Sequence, residues 1–132
     1  MRILFIFAIA ATLHSTSSEA TSFDPQHLKQ LKDTNECFQC NLTASPLEGA
    51  DLERADLKEA ILQGANLQGA NLERADLQGA HLRGVNLRGA NLHGADLHGA
   101  DLQGAILSGA LMKGVILCNT IMPDGRTNYS GC

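Results

Sequence analysis

Every fifth residue from Leu42 to Met122 is leucine, with methionine only at Met112 and Met122. Neither regular element produces such a ladder. On a helix a five-residue step turns about 140°, which scatters the leucines around every face. On a straight strand an odd step sends alternate leucines to opposite sides. Each five-residue unit must therefore contain a bend that returns the leucine to the same interior. The chain is a solenoid of short extended sides, and its remaining residues are read by their place in the unit.

Two residues before the leucine, the position is Ala from Ala50 to Ala110 except for Val85, with Cys40, Ser45, Val115 and Thr120 completing the column. Lying two apart on an extended segment, this residue and the leucine point the same way, inward. Alanine there leaves room for the leucine of a neighbouring side. The residue just before the leucine is Asn or Asp at ten of seventeen units, including Asp51, Asp56, Asn66, Asn71, Asp76, Asp96 and Asp101. Short polar side chains suit a bend because they bond nearby backbone groups. Two residues after the leucine stands Gly, at eleven of the chain's thirteen glycines. Glycine relaxes the backbone at the corner. In a helix each would cost about 1 kcal/mol, which disfavours a helical repeat further. The residue after the leucine varies, as in Gln68, Glu73, Arg83, His93 and Lys113, and faces water.

Units such as Ala65-Asn66-Leu67-Gln68-Gly69 and Ala95-Asp96-Leu97-His98-Gly99 resemble the pentapeptide repeat family, whose motif is A-(N/D)-L-x-x. The resemblance covers residues 40–122. It implies an all-β fold, a right-handed quadrilateral β-helix with four units per coil and about four coils here. The run from Leu52 to Leu57 recurs unchanged from Leu72 to Leu77, twenty residues on, which supports that coil length. Asp56, Asp76 and Asp96 would then stack, as would Asn66 and Asn86. The flanks resemble a secreted or lumenal subgroup common in cyanobacteria. In that subgroup a C-x-x-C precedes the first repeat, as in Cys37-Phe38-Gln39-Cys40. A segment running Cys118-Asn119-Thr120-Ile121-Met122-Pro123-Asp124-Gly125 and ending Gly131-Cys132 follows the last.

Four segments are expected. Residues 1–20 read as an export signal, with Arg2, an apolar run from Ile3 to Leu13 and a small-x-small site at Ser18-Glu19-Ala20. The run is too short to span a bilayer, so no stable membrane insertion follows cleavage. Residues 21–39 form a helical cap, with Asp24 and Pro25 starting a helix over about 25–33. Residues 40–122 form the repeat and 123–132 a C-terminal cap. Loss of Arg2 and Glu19 leaves the net charge at −4. That is no basic footprint for nucleic acid.

An even number of cysteines in an exported chain favours disulfides, and four allow three pairings. Cys37 with Cys40 and Cys118 with Cys132 is favoured, because each pair flanks one end of the solenoid. A thiol-redox C-x-x-C is the alternative, although that motif here runs into a strand rather than a helix start. His81, His93 and His98 are read as solvated, and neither a metal nor a cofactor is expected. There is no nucleophile elbow, phosphate loop or paired catalytic carboxylate.

One departure from the motif is informative. In the last coil the Asn/Asp position becomes Ile106, Leu111, Ile116 and Ile121. Water disfavours such an outward apolar patch. Either residues 123–132, with Tyr129, fold back over it, or it mediates an end-to-end homodimer. The functional expectation is a non-enzymatic structural or protein-interaction solenoid with an unknown protein partner. It would act in the periplasm, the thylakoid lumen or the medium. The alternatives are a small thiol-redox factor and a DNA-mimicking gyrase binder of the kind found in this family. The weak charge, export signal and cysteines argue against the gyrase binder.

Overall fold

The computed structural model describes residues 22–132; the expected export signal at 1–20 lies outside the described residues. Helix α1 spans Pro25–Thr34. Asp24 accepts a hydrogen bond from the Gln26 amide, and Pro25 supplies a helical φ without needing its missing N–H. Asn35 ends the helix in the left-handed region, and its amide bonds the Leu31 carbonyl. One apolar side chain, Leu31, is fully buried under the helix and plugs the first end of the core.

The rest of the chain winds with a twenty-residue period. Parallel bridges join Glu36 to Asp56, Asp56 to Asp76 and Asp76 to Asp96, and continue in the same offset on every side as far as Asp101 with Ile121. Each coil therefore has four five-residue sides. One unit shows the bonding. Asp76 N–H donates to Ala55 O (2.9 Å), Leu57 N–H to Asp76 O (2.8 Å) and Glu59 N–H to Gln78 O (2.8 Å). Ala60 N–H closes the turn on Leu57 O (3.1 Å). Interior amides and carbonyls are thereby paired from coil to coil, which is what lets an irregular-looking backbone be buried.

The first bridge lies at Glu36, before the expected repeat start at Cys40. Cys37 occupies the leucine position of this additional unit and is fully buried. Gln39 occupies the corner with φ 57°.

Leucines from Leu42 to Leu102 and alanines from Ala55 to Ala105 form the core. Ser45 occupies an alanine position, fully buried, and its hydroxyl has no partner. An unmade buried hydroxyl bond costs about 1–3 kcal/mol. Ser45→Ala should raise the unfolding free energy by about 1 kcal/mol, read as a shift of the denaturant midpoint at constant m. At the end of the last coil, β1 (Thr120–Ile121) pairs antiparallel with β2 (Thr127–Asn128) of the tail. Among the described residues no helix is long and apolar enough to cross a membrane.

Candidate interaction surface

The outward polar positions are largely committed to the fold. Asp56 Oδ1 accepts from the Lys58 amide (3.1 Å), Asn66 Oδ1 from Gln68 (3.1 Å) and Asp96 Oδ1 from His98 (2.9 Å). Each caps the turn of its own unit. The same side chains also bond between coils. Asn71 donates to Asp51 and Asn91 to Asn71, both at 3.3 Å, and Asn86 donates to Asn66 at 3.4 Å. Glu36, Asp56, Asp76 and Asp96 stack on one side. Lys58 Nζ lies 3.3 Å from Asp76 Oδ2 and partly neutralises that column.

The titration of the Asp101 carboxylate is displaced by its surroundings. Burial is the largest influence and pushes its pKa up, but it is outweighed jointly by a 2.6 Å hydrogen bond from Arg83 Nε, the Gln103 amide and the charges of Arg83 and His81. The net effect holds Asp101 below the ordinary carboxylate value. A depressed folded pKa stabilises the fold above the unfolded pKa, and that contribution disappears as pH falls through the folded value. The stability deficit of Asp101→Asn should therefore be largest at neutral pH and vanish in acid, measured by denaturant titration across that range.

His81 stacks between Ile61 and Asp101, while His93 and His98 project from two other positions. Among the described residues no group of three His, Cys, Asp or Glu side chains is placed to hold a metal ion. Cys37 is bonded to Cys40 and Cys118 to Cys132. The first pair is buried, at 0% and 2% exposure, so its sulfurs are not open to a redox partner. In the second pair Cys132 is exposed and Cys118 half-buried.

The C-terminal coil differs from the others. In the coil before it, Leu87, Gly89, Leu92 and Gly94 donate their amides to Ile106, Ser108, Leu111 and Lys113. The equivalent amides of Leu107, Gly109, Met112 and Gly114 have no backbone partner among the described residues. The other two sides are partly closed by the chain's own tail, through Leu117 N–H to Ser130 O (3.1 Å) and Met122 N–H to Arg126 O (2.8 Å). The tail thus covers the sides of Ile116 and Ile121. It leaves those of Ile106 and Leu111 open, and Leu111 is 58% exposed. Tyr129 does not act as the expected cover, being 66% exposed. Tight turns around Asn128 and Cys132, made by Ser130 N–H to Asn128 Oδ1 and Cys132 N–H to Tyr129 O, leave the ring in solvent. Beneath this end Leu107, Met112, Leu117 and Met122 are only partly buried. From Leu102 to Met122 the sole charged side chain is Lys113. Sequence reading found the apolar positions. It missed the free amides, because they depend on which sides the tail reaches.

The pattern described as pentapeptide repeats matches residues 36–74 and 70–109, in eight copies. No curated protein matches the chain. Among solved structures, a pentapeptide repeat protein of the Arabidopsis thaliana thylakoid lumen is 29% identical, with a TM-score of 0.57, covering 71% of this chain and 70% of its own. The pentapeptide repeat protein Rfr23 from the cyanobacterium Cyanothece 51142 is 31% identical, with a TM-score of 0.49, covering 68% and 88%. HetL, a pentapeptide repeat protein involved in heterocyst differentiation regulation in Nostoc sp. strain PCC 7120, is 39% identical, with a TM-score of 0.42, covering 70% and 51%. With its five-residue sides, twenty-residue coils and matching repeat pattern, this chain belongs to the pentapeptide repeat family, whose fold is the right-handed quadrilateral β-helix.

Proposed function

We propose that this protein is an exported, non-enzymatic interaction solenoid of about four coils that docks through its C-terminal coil. The observation that carries the reading is the free edge of residues 106–115. There the outward position turns apolar at Ile106 and Leu111, and the four amides whose counterparts pair with the next coil, at Leu107, Gly109, Met112 and Gly114, have no backbone partner among the described residues. Such edges invite strand pairing. At the Asn and Asp units the same position caps turns and ties coils together, so apolar residues there give up local stability for something else. Export is supported by the paired cysteines at both ends and by the similar protein of a thylakoid lumen. Periplasm, lumen and medium share this chemistry.

The occupant that fits best is a second copy of the chain. The edge offers donors at Leu107 and Met112 and acceptors at Ala105, Ala110 and Val115, so it is complementary to itself. With Lys113 the only charge on the coil, two copies meet with little repulsion. Sedimentation of the mature chain should show concentration-dependent dimers. Leu111→Asp should weaken the dimer by about tenfold or more, since it buries a charge at the contact. A monomer at all concentrations, or crosslinks in the native compartment that avoid residues 106–115, would sink the reading. Capture of gyrase by the mature chain would favour the DNA-mimic alternative instead.

A further inference from the structure

We infer that the Cys118–Cys132 disulfide is a redox latch: a dithiol reductant of the thioredoxin class opens it, releases residues 123–132 and frees the edge that they cover. This rests on the docking reading and adds its regulation. The two disulfides sit in opposite environments. Cys37 and Cys40 are buried, with the Cys37 amide bonded to Asp56 O inside the first coil. Cys132 is exposed at the tip of the tail, where an incoming thiolate reaches its sulfur.

The tail has little else to hold it. Besides the two-residue pairing of β1 with β2, only Leu117 N–H to Ser130 O, Met122 N–H to Arg126 O and Gly104 N–H to Pro123 O tie its backbone to the solenoid. Further bonds are local to the tail and its junction, such as Gly125 N–H to Met122 O and Arg126 N–H to Asp124 Oδ1. From Asp124 to Cys132 no residue is buried, and only Asn128 is partly so. This handful of backbone bonds at a solvent-exposed edge does not offset the entropy of ordering ten residues, since each bond contributes no more than ordering one residue costs. The covalent bond across fourteen residues supplies the difference.

In the exchange, one reductant thiolate attacks Cys132 Sγ. The S–S bond breaks and its electron pair leaves on Cys118 Sγ, which takes up a proton. The second reductant thiolate then attacks the mixed disulfide, freeing Cys132 as a thiolate that is protonated in turn. Two electrons have moved, and the reductant ends as a disulfide. Release would extend the open edge from two sides of the last coil to four, adding the Leu117 and Met122 amides and uncovering Ile116 and Ile121.

The test uses the full mature chain, reduced thioredoxin as the probe and maleimide labelling with peptide mapping. Two thiols should appear, on Cys118 and Cys132, while Cys37–Cys40 stays closed. Hydrogen exchange at the Leu117 and Met122 amides should accelerate by about tenfold or more. Cys132→Ser should reproduce that acceleration without reductant. The latch is overturned if all four thiols appear together, or if those amides stay equally protected in both the reduced protein and the variant. Sedimentation of the same samples reads docking separately. A released tail with unchanged association leaves the latch standing and counts against the docking role.

Discussion

Replacing Leu77 with alanine should lower the unfolding free energy by about 3–4 kcal/mol, within the range for leucine truncation in a packed core. Leu77 is 1% exposed and lies midway along the stack. Its amide donates to Asp96 O and its carbonyl accepts from the Ala80 amide, so its side chain is held where no neighbour can collapse into the space. Position along the solenoid sets how the loss appears. A stack of coils is stabilised by nearest-neighbour contacts, so an interior defect weakens the coupling between its two halves. Met112→Ala removes a side chain of similar size at the partly buried end and should cost less than half as much, mostly as fraying of the last coil. Denaturant titration reads both. The Leu77→Ala transition should also broaden or split, because the coils on either side no longer unfold as one. Equal losses at the two sites would mean that the terminal coil is as tightly packed as the middle, against the exposure of its interior side chains.

The leucine ladder was enough to read the fold class, because period five is incompatible with both regular elements and admits few alternatives. Its slots were legible for the same reason: each residue type repeats only if the backbone does the same thing every five residues. The first unit was hidden where Cys37 stands for leucine and Gln39 for glycine, so the ladder starts at Glu36 rather than at Cys40. The tail was legible only in part. Its cysteines marked it as an end piece, but the sides it covers follow from Leu117 and Met122 pairing with Ser130 and Arg126, contacts that carry no periodic signature. The free amides at Leu107, Gly109, Met112 and Gly114 are the remainder of that pairing. They were illegible because an unmade bond is a property of the neighbouring backbone, not of the residue.

The corner position yields the second large effect: Gly104→Val should destabilise the protein by about 2 kcal/mol or more. Gly104 has φ +73°, and an added Cβ would lie 3.8 Å from the Gly84 amide nitrogen of the coil before. Space is adequate for the Cβ itself, so the cost comes from backbone conformation. A positive φ at the third residue of a turn is what type II geometry requires, and a β-branched side chain tolerates it worst. The same position shows what can be tolerated. Arg54, Glu59 and Arg74 adopt φ of 55–56° there, all unbranched at Cβ and with the chain free to extend into solvent. Arg74→Gly should therefore change stability by less than about 0.5 kcal/mol. Relief of the left-handed strain is offset by the larger entropy that glycine loses on folding. Thermal or denaturant midpoints of the two variants, measured side by side, check the asymmetry. If Gly104→Val proved as mild as Arg74→Gly, the corner would be flexible enough to leave the left-handed region. The glycine column would then need another cause than turn geometry.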